Sequence, residues 1–158
     1  MIQHNFTVRI ANREDVKAIK IITSNAFQQY VKLAGIDHVE ALDETEDDIL
    51  WDIEHKIVLI AIINNVPVGS IRLEVKDDHT AYLSRFGVSM GYQNNGIGKM
   101  LINVTDKIMM EHGVKKLFLH TASKAFSLIR FYYSRGFFID STTKDKGYIR
   151  ALLIKEYE

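Results

Sequence analysis

The sequence has no cysteine, a single proline and no excess of charge, and each absence removes a class of protein. Without cysteine there is no disulfide framework, no cysteine nucleophile and no thiolate metal site. The 20 lysines and arginines balance the 20 aspartates and glutamates, so we expect no nucleic-acid partner. The histidines show no spacing typical of metal ligands, and we expect no metal.

Long apolar runs are also missing. No stretch approaches the ~18 consecutive apolar residues that suggest a membrane span. The first residues are mixed and polar, unlike a secretory signal, so we expect no membrane contact and a cytoplasmic location. The 158 residues, 47% of them apolar, suffice for one core, and we expect a single domain over residues 1–158.

The start of the chain predicts a strand followed by a helix. Residues 6–10 alternate between apolar and polar side chains, which is typical of a half-buried strand. Asn12 is a good helix N-cap, and apolar residues at helical spacing predict a helix over residues 13–30. Residues 31–44 have no clear period, and we interpret them as a loop or a short helix.

The middle of the chain is rich in strand signals. Thr45 with Asp48 resembles a capping box and predicts a second, short helix. Three apolar, β-branched runs then follow over residues 56–63, 66–75 and 81–89. Because only short turns separate them, they predict an antiparallel meander.

The last third predicts two helices and three strands. An amphipathic helix ends at Gly113 and leads to a strand over 116–122, which should run parallel to the strand before it. Ser123 can cap a fourth helix, and residues 137–141 and 148–155 predict two closing strands. The order predicts a single mixed, mainly antiparallel sheet of about seven strands with helices on both faces.

A glycine-containing turn, residues 91–98, lies between the third run and its helix. Such a turn directs several backbone NH groups to the helix start, where they and the positive end of the helix dipole favour an anion. Glycine also lets a phosphate approach without a Cβ in the way. The turn therefore predicts a phosphate site.

Two nucleotide-binding motifs do not fit this turn, which weakens the hypothesis that the chain is a nucleotide-binding module. A Walker A loop needs Ser or Thr after Gly-Lys, but Met100 follows Gly98 and Lys99, and Gly91 stands too far upstream. A Rossmann fingerprint needs Gly or Ala where this chain has Leu101.

A third pattern, Gln/Arg-x-x-Gly-x-Gly/Ala, matches residues 93–98 at every fixed position. Residues 125–137, Ala-Phe-Ser-Leu-Ile-Arg-Phe-Tyr-Tyr-Ser-Arg-Gly-Phe, are similar to a second motif, Asn-x-x-Ala-x-x-hydrophobic-Tyr-x-x-x-Gly-Phe. At these two places, and in the order of its elements, the chain resembles the GCN5-related N-acetyltransferase (GNAT) family. It departs from the second motif at Ala125 and Leu128, where Ser127 or Ser123 can replace the lost contact.

The resemblance implies acetyl-CoA as co-substrate and two parallel strands splayed at its site, with Gly87 a sensible place for a bulge. The turn would hold the pyrophosphate, and the free edge of the third run would pair with the pantetheine arm. The residues expected to bind the donor are Phe86, Gly87, Val88, Gln93, Asn94, Asn95, Gly96, Ile97, Gly98, Lys99, Ser127 and Tyr132.

The resemblance also implies the catalytic groups. The backbone NH of Phe86 is assigned to the thioester carbonyl, and Tyr132 matches the family's general acid. The base stays open between Glu74, His120 and proton loss to solvent. Tyr132 is otherwise a packing aromatic.

The acceptor is expected to be a small-molecule or peptide amine. The acidic run over residues 40–48 could attract a cationic amine, or it is simply a solvated helix N-terminus. The function expected is direct N-acetyl transfer in a ternary complex. The alternative is a non-catalytic acyl-CoA-binding module of the same fold. Similar proteins are often dimers, so a homodimer is possible.

Overall fold

Seven strands and four α-helices occur in residues 5–93 and 95–158, the part of the chain that the computed structural model describes. The strands are β1 (Phe6–Ile10), β2 (Ile57–Ile63), β3 (Val66–Val75), β4 (Thr80–Val88), β5 (Lys116–Ala122), β6 (Phe138–Thr143) and β7 (Arg150–Glu156). The α-helices are α1 (Val16–Ala34), α2 (Glu46–His55), α3 (Ile97–Glu111) and α4 (Phe126–Ser134). Two short 3-10 helices cover Arg13–Asp15 and Glu40–Asp43.

The strands form one sheet in the order β1-β2-β3-β4-β5-β7-β6. β4 and β5 are parallel, and the other neighbours are antiparallel. The pairing of β4 with β5 covers only Thr80 to Tyr82 against Lys116 to Phe118, after which the two strands separate. The predicted mixed sheet, with a splayed parallel pair, is confirmed.

Helices cover both faces of the sheet, as predicted. On β2, Leu59 and Ala61 belong to the main core cluster, which also contains Leu101 of α3. The alternate residues Val58 and Ile60 pack in a second cluster with residues of α1 and α2. Because successive strand residues face opposite sides, a strand buried on both faces needs an unbroken apolar run.

The first helix is longer than predicted. α1 runs to Ala34 and ends at Gly35, which has φ 69° and donates its NH to the carbonyls of the last turn. Gly35 is the left-handed C-terminal residue that commonly closes a helix. A glycine within residues 31–44, the segment interpreted as a loop or a short helix, therefore marks the end of α1.

Two of three predicted caps are confirmed. Asn12 caps the first 3-10 turn, and Thr45 with Asp48 forms a reciprocal capping box at α2. The predicted cap at Ser123 is wrong. α4 begins at Phe126, and its N-cap residue, Ala125, has no side-chain oxygen to satisfy the first NH groups.

Candidate active site

A cavity of about 930 Å³ opens where β4 and β5 separate. Its lining comes from α1, β4, β5, α4, the turn before α3 and the segment before β7. The residues that line it include Phe86, Gly87, Val88, Gln93, Gly96, Gly98, Lys99, His120, Ser127 and Tyr132. Most residues expected to bind the donor therefore meet in one cavity, although they are far apart in sequence.

β4 is bulged where it borders this cavity. Ser70 of β3 pairs with Gly87, but Arg72 pairs with Ser84, so β4 has one residue more than β3 in this interval. Arg85 takes up the change with φ 52°. The bulge therefore lies at Arg85 and Phe86, not at Gly87 as expected, and it removes backbone groups of β4 from the regular ladder.

Gly87 is required for a different reason. A Cβ built on Gly87 would lie 2.7 Å from the Cβ of Ala26 in α1, closer than two carbons can approach. The glycine thus lets α1 pack directly against the strand at the cavity. Gly87 lines the cavity, and the lack of a side chain serves close helix packing.

The turn before α3 has the geometry that an anion site needs. Gly96 is the N-cap residue of α3, with φ 79°, and it has no side chain that could offer a capping oxygen to the first NH groups of the helix. Within the described residues, a Cβ on Gly96 would meet no atom within 4 Å, whereas one on Gly98 would lie 3.1 Å from the ring of Phe86. Open space lies at the first glycine and packed rings lie at the second.

The side chain of Gln93 holds this turn in place. Its amide nitrogen donates to the carbonyl of Val88 at 3.2 Å and to Gln29 of α1 at 2.9 Å. Ile97 is buried and fixes the start of α3 in the core. Asn95 and Ile97 are not among the residues that line the cavity, and Asn94 lies outside the described residues.

Tyr132 on α4 lines the cavity from within an aromatic cluster. Its ring centroid lies 6.1 Å from that of Phe86 and 5.4 Å from that of Phe137. The residue is only 5% exposed, and burial raises the pKa of its hydroxyl well above the usual value. The hydroxyl of Tyr132 therefore keeps its proton and is neutral at ordinary pH values.

His120 on β5 faces Tyr82 on β4 across the gap between the strands. Nδ1 of His120 and the hydroxyl oxygen of Tyr82 lie 2.6 Å apart, and both residues line the cavity. Burial, and then the positive charge of Arg150, lower the pKa of His120 below its ordinary value. The imidazole is therefore neutral near pH 7 and can accept a proton.

Glu74, the other candidate base, pairs with Tyr82 in the β3–β4 ladder but is not among the residues that line the cavity. Of the two candidate bases, His120 therefore lines the same cavity as Tyr132 and Glu74 does not. Tyr82 was not predicted as a site residue, because a tyrosine on a half-buried strand carries no local pattern that marks it as functional. The register places Phe118 opposite Tyr82, so His120 follows two residues on with its side chain on the same face.

Most carboxylates of the acidic run are engaged within the protein. Glu44 is nearly buried and pairs with Arg72 and Arg85. Asp48 caps α2, and Asp43 pairs with His38. Glu40 lines the cavity, but it pairs with Lys146 at 3.4 Å. Glu46 and Asp47 are exposed but are not part of the cavity lining, so Glu40 is the carboxylate of the run that borders the cavity.

Three cationic side chains, Arg85, Lys146 and Arg150, line the cavity and were not predicted as site residues. We call them the basic end of the cavity. Arg150 is the first residue of β7 and Arg85 lies in the β4 bulge. Because elements distant in sequence supply them, no local motif marks them.

The sequence model of the acetyltransferase (GNAT) family matches residues 26–137. That match includes the bulged strand, the glycine turn and α4, which together surround the cavity. The chain therefore belongs to the GNAT acetyltransferase family, as the resemblance of its two motifs indicated.

Two proteins of Bacillus subtilis (strain 168) are similar in sequence. The uncharacterised protein YyaT is 30% identical over 122 residues, 75% of this chain and 78% of its own length. A second protein, provisionally named an acetyltransferase, is 29% identical over 96 residues, 61% of this chain. The match spans 62% of that relative's length, which is less than two thirds.

Among solved structures, the fold is similar to that of the PaiA N-acetyltransferase from Thermoplasma acidophilum, which was determined in complex with coenzyme A. The TM-score is 0.82 with 23% sequence identity, and the match covers 97% of this chain and 99% of that one.

Within residues 5–93 and 95–158, no helix is long and apolar enough to cross a membrane.

Proposed function

We propose that the chain is an acetyl-CoA-dependent N-acetyltransferase that moves an acetyl group to a primary amine by direct transfer in a ternary complex. One observation carries the proposal. The uncapped glycine turn of α3, the bulge at Phe86 and the buried hydroxyl of Tyr132 border the same cavity. Acetyl transfer from acetyl-CoA requires an anion site for the pyrophosphate, a strand with free backbone groups and a group that gives a proton to the sulfur.

The donor would lie along the cavity from the turn to the bulge. The NH groups at the start of α3 would bind the pyrophosphate, with Lys99 and the side chain of Ser127 nearby. The unpaired edge of β4 beyond Tyr82 would add the pantetheine arm as an extra strand. A similar fold, that of PaiA, was solved with coenzyme A bound, which supports this choice of ligand.

The residues around the bulge would then catalyse the transfer. The backbone NH of Phe86 would stabilise the negative charge that develops on the thioester carbonyl oxygen as the amine nitrogen bonds to its carbon. Tyr132 would give its proton to the sulfur as the carbon–sulfur bond breaks. A high pKa suits this role, because the hydroxyl keeps its proton until a basic thiolate forms.

His120 would accept the proton that the amine loses, either directly or through the hydroxyl of Tyr82. The 2.6 Å contact of the two side chains and the lowered pKa of the imidazole support this assignment. The charges then balance, since one proton leaves the amine for His120 and one leaves Tyr132 for the sulfur. We propose no role for Glu74.

The second candidate is a non-catalytic acyl-CoA-binding module. It is kept because Ala125 replaces the asparagine of the second motif and has no polar side chain. Release of free thiol from acetyl-CoA, measured with a broad panel of primary amines, separates the two functions. Turnover above the rate without amine supports the enzyme, whereas coenzyme A binding without turnover of any amine contradicts it.

A further inference from the structure

Each cation of the basic end has a carboxylate partner, but these partners are shared or exposed. Arg85 shares Glu44 with Arg72, and the field of the exposed Asp48 acts on both arginines. Arg72 is fully buried and takes both oxygens of Glu44. Arg85, which lines the cavity, therefore has only a share of a carboxylate that Arg72 already binds through both oxygens.

Arg85 and Arg150 are both incompletely bonded. Among the described residues, the only hydrogen bond from the guanidinium of Arg85 runs from Nε to Glu44 at 3.3 Å. Arg150 donates to Asp145, whose side chain is 55% exposed, and within the same residues its buried Nε has no partner. Both guanidiniums therefore retain donors for a further acceptor of hydrogen bonds.

These two charges flank the Tyr82–His120 pair. The positive fields of Arg150 and Arg85 each lower the pKa of Tyr82, against the larger effect of burial, which raises it. Arg150 also lowers the pKa of His120. The basic end is thus adjacent to the groups proposed to receive the amine, and it lies in the same cavity as the bulge of β4.

We propose that the acceptor is a small amine that also carries a carboxylate, which Arg150 and Arg85 bind while the amine faces His120. The proposal rests on the acetyl-transfer function. Arginine suits the role because its planar guanidinium matches a carboxylate geometrically. A diamine or polyamine would place a second positive charge against the same arginines, which disfavours it.

The test uses matched amines, each a carboxylate paired with its uncharged amide, together with diamines and phosphoethanolamine. The panel contains α-amino acids, ω-amino acids and dipeptides. With acetyl-CoA in excess, we expect kcat/KM for at least one carboxylate to exceed that of its amide by about 10-fold or more. Equal efficiency for all pairs, or preference for diamines or phosphoethanolamine, would overturn the proposal while leaving acetyl transfer intact.

Variants of the cavity residues show which side chains recognise the carboxylate. Arg150→Gln should reduce the carboxylate-to-amide ratio by about 30-fold, mainly through KM for the carboxylate. Lys146→Gln should reduce the carboxylate-to-amide ratio less. The side chain of Lys146 is half-exposed, so we expect this variant to fold normally. Arg13→Gln replaces an exposed arginine outside the cavity and should leave the ratio unchanged. An unchanged ratio in both cavity variants would contradict the proposal.

If no amine is turned over, calorimetry of amine binding to the coenzyme A complex separates the proposed carboxylate recognition from the proposed acetyl transfer. Preferential binding of a carboxylate over its amide would then support a carboxylate site at Arg150 and Arg85 and contradict acetyl transfer. Absence of binding by every carboxylate in the panel would overturn the acceptor class as well.

Discussion

The hydroxyl of Tyr82 and Nδ1 of His120 lie 2.6 Å apart and bridge β4 and β5 just beyond the point where the two strands cease to pair. The contact therefore lies at the closed end of the gap, where the two strands begin to separate. It also links a neutral imidazole to the basic end of the cavity, since Arg150 acts on both side chains. This pair joins the proposed donor and acceptor halves of the site.

His120 should add a pH-dependent limb to the rate. Because the pKa of His120 is below its ordinary 6.5, the imidazole becomes a competent base as pH rises through a value lower than 6.5 and is saturated above it. The amine's own ionisation affects both proteins equally, so the ratio of wild-type kcat to that of His120→Gln isolates the residue. The ratio should rise with pH and level off by neutrality, and a flat ratio near one would exclude His120 as the base.

Replacing Tyr132 with phenylalanine should lower kcat by about 100-fold, in the range typical of general acids. The affinity for acetyl-CoA should change little, because the ring remains in the cluster with Phe86 and Phe137. Steady-state kinetics and calorimetry measure the two quantities. Tyr133→Phe is the control, since Tyr133 is 49% exposed and is not part of the cavity lining. A full rate in Tyr132→Phe would remove the acid role.

Gly96→Glu should abolish coenzyme A binding, because a carboxylate would occupy the open space at the N-terminus of α3 and repel the pyrophosphate. Gly96→Ala is the matched control. Alanine has the same difficulty with φ 79° but adds no charge, so it should cost about 1 kcal/mol of stability and only part of the affinity. Calorimetry with coenzyme A checks both variants, and unchanged affinity in Gly96→Glu would show that the turn does not bind the pyrophosphate.

Gly87→Ala should destabilise the fold by about 1–3 kcal/mol, because its Cβ would lie 2.7 Å from that of Ala26. Urea denaturation measures the loss. Ala26→Gly alone should cost about 1 kcal/mol through helix propensity. Combining the two changes removes the clash, so the double variant should be more stable than Gly87→Ala alone. Additive losses would show that the two residues do not compete for the same space.

Glu44→Gln should destabilise the protein by about 3 kcal/mol, because it leaves the buried guanidinium of Arg72 without its main counter-charge. The control, Glu54→Gln, removes an exposed carboxylate of α2 that has no ion pair among the described residues. Its free energy of unfolding should change by less than about 0.5 kcal/mol. Similar losses in both variants would contradict a special role for the buried pair.

Local patterns determined most of the fold. The alternating residues of β1, the unbroken apolar run of β2 and the capping box at Thr45 each specify a conformation within a few residues. The seven strands, their mainly antiparallel order and the parallel β4–β5 pair were predictable for this reason. Helix ends were less predictable. α4 begins without a side-chain cap at Ala125, so its N-terminus is set by packing of that buried alanine.

The sequence alone also marked the donor side of the candidate site, because the glycine turn and the Tyr132 motif are continuous stretches with a fixed spacing. Only the tertiary structure decided the residues of the proposed acceptor side other than His120. Tyr82 and Arg85 of β4, His120 of β5 and Arg150 of β7 meet through the register of the sheet and a bulge. Likewise, the acidic run looked free in the sequence, yet the fold pairs Glu44 with Arg72. Side chains that meet across strands leave no local pattern, since their distance depends on long-range pairing.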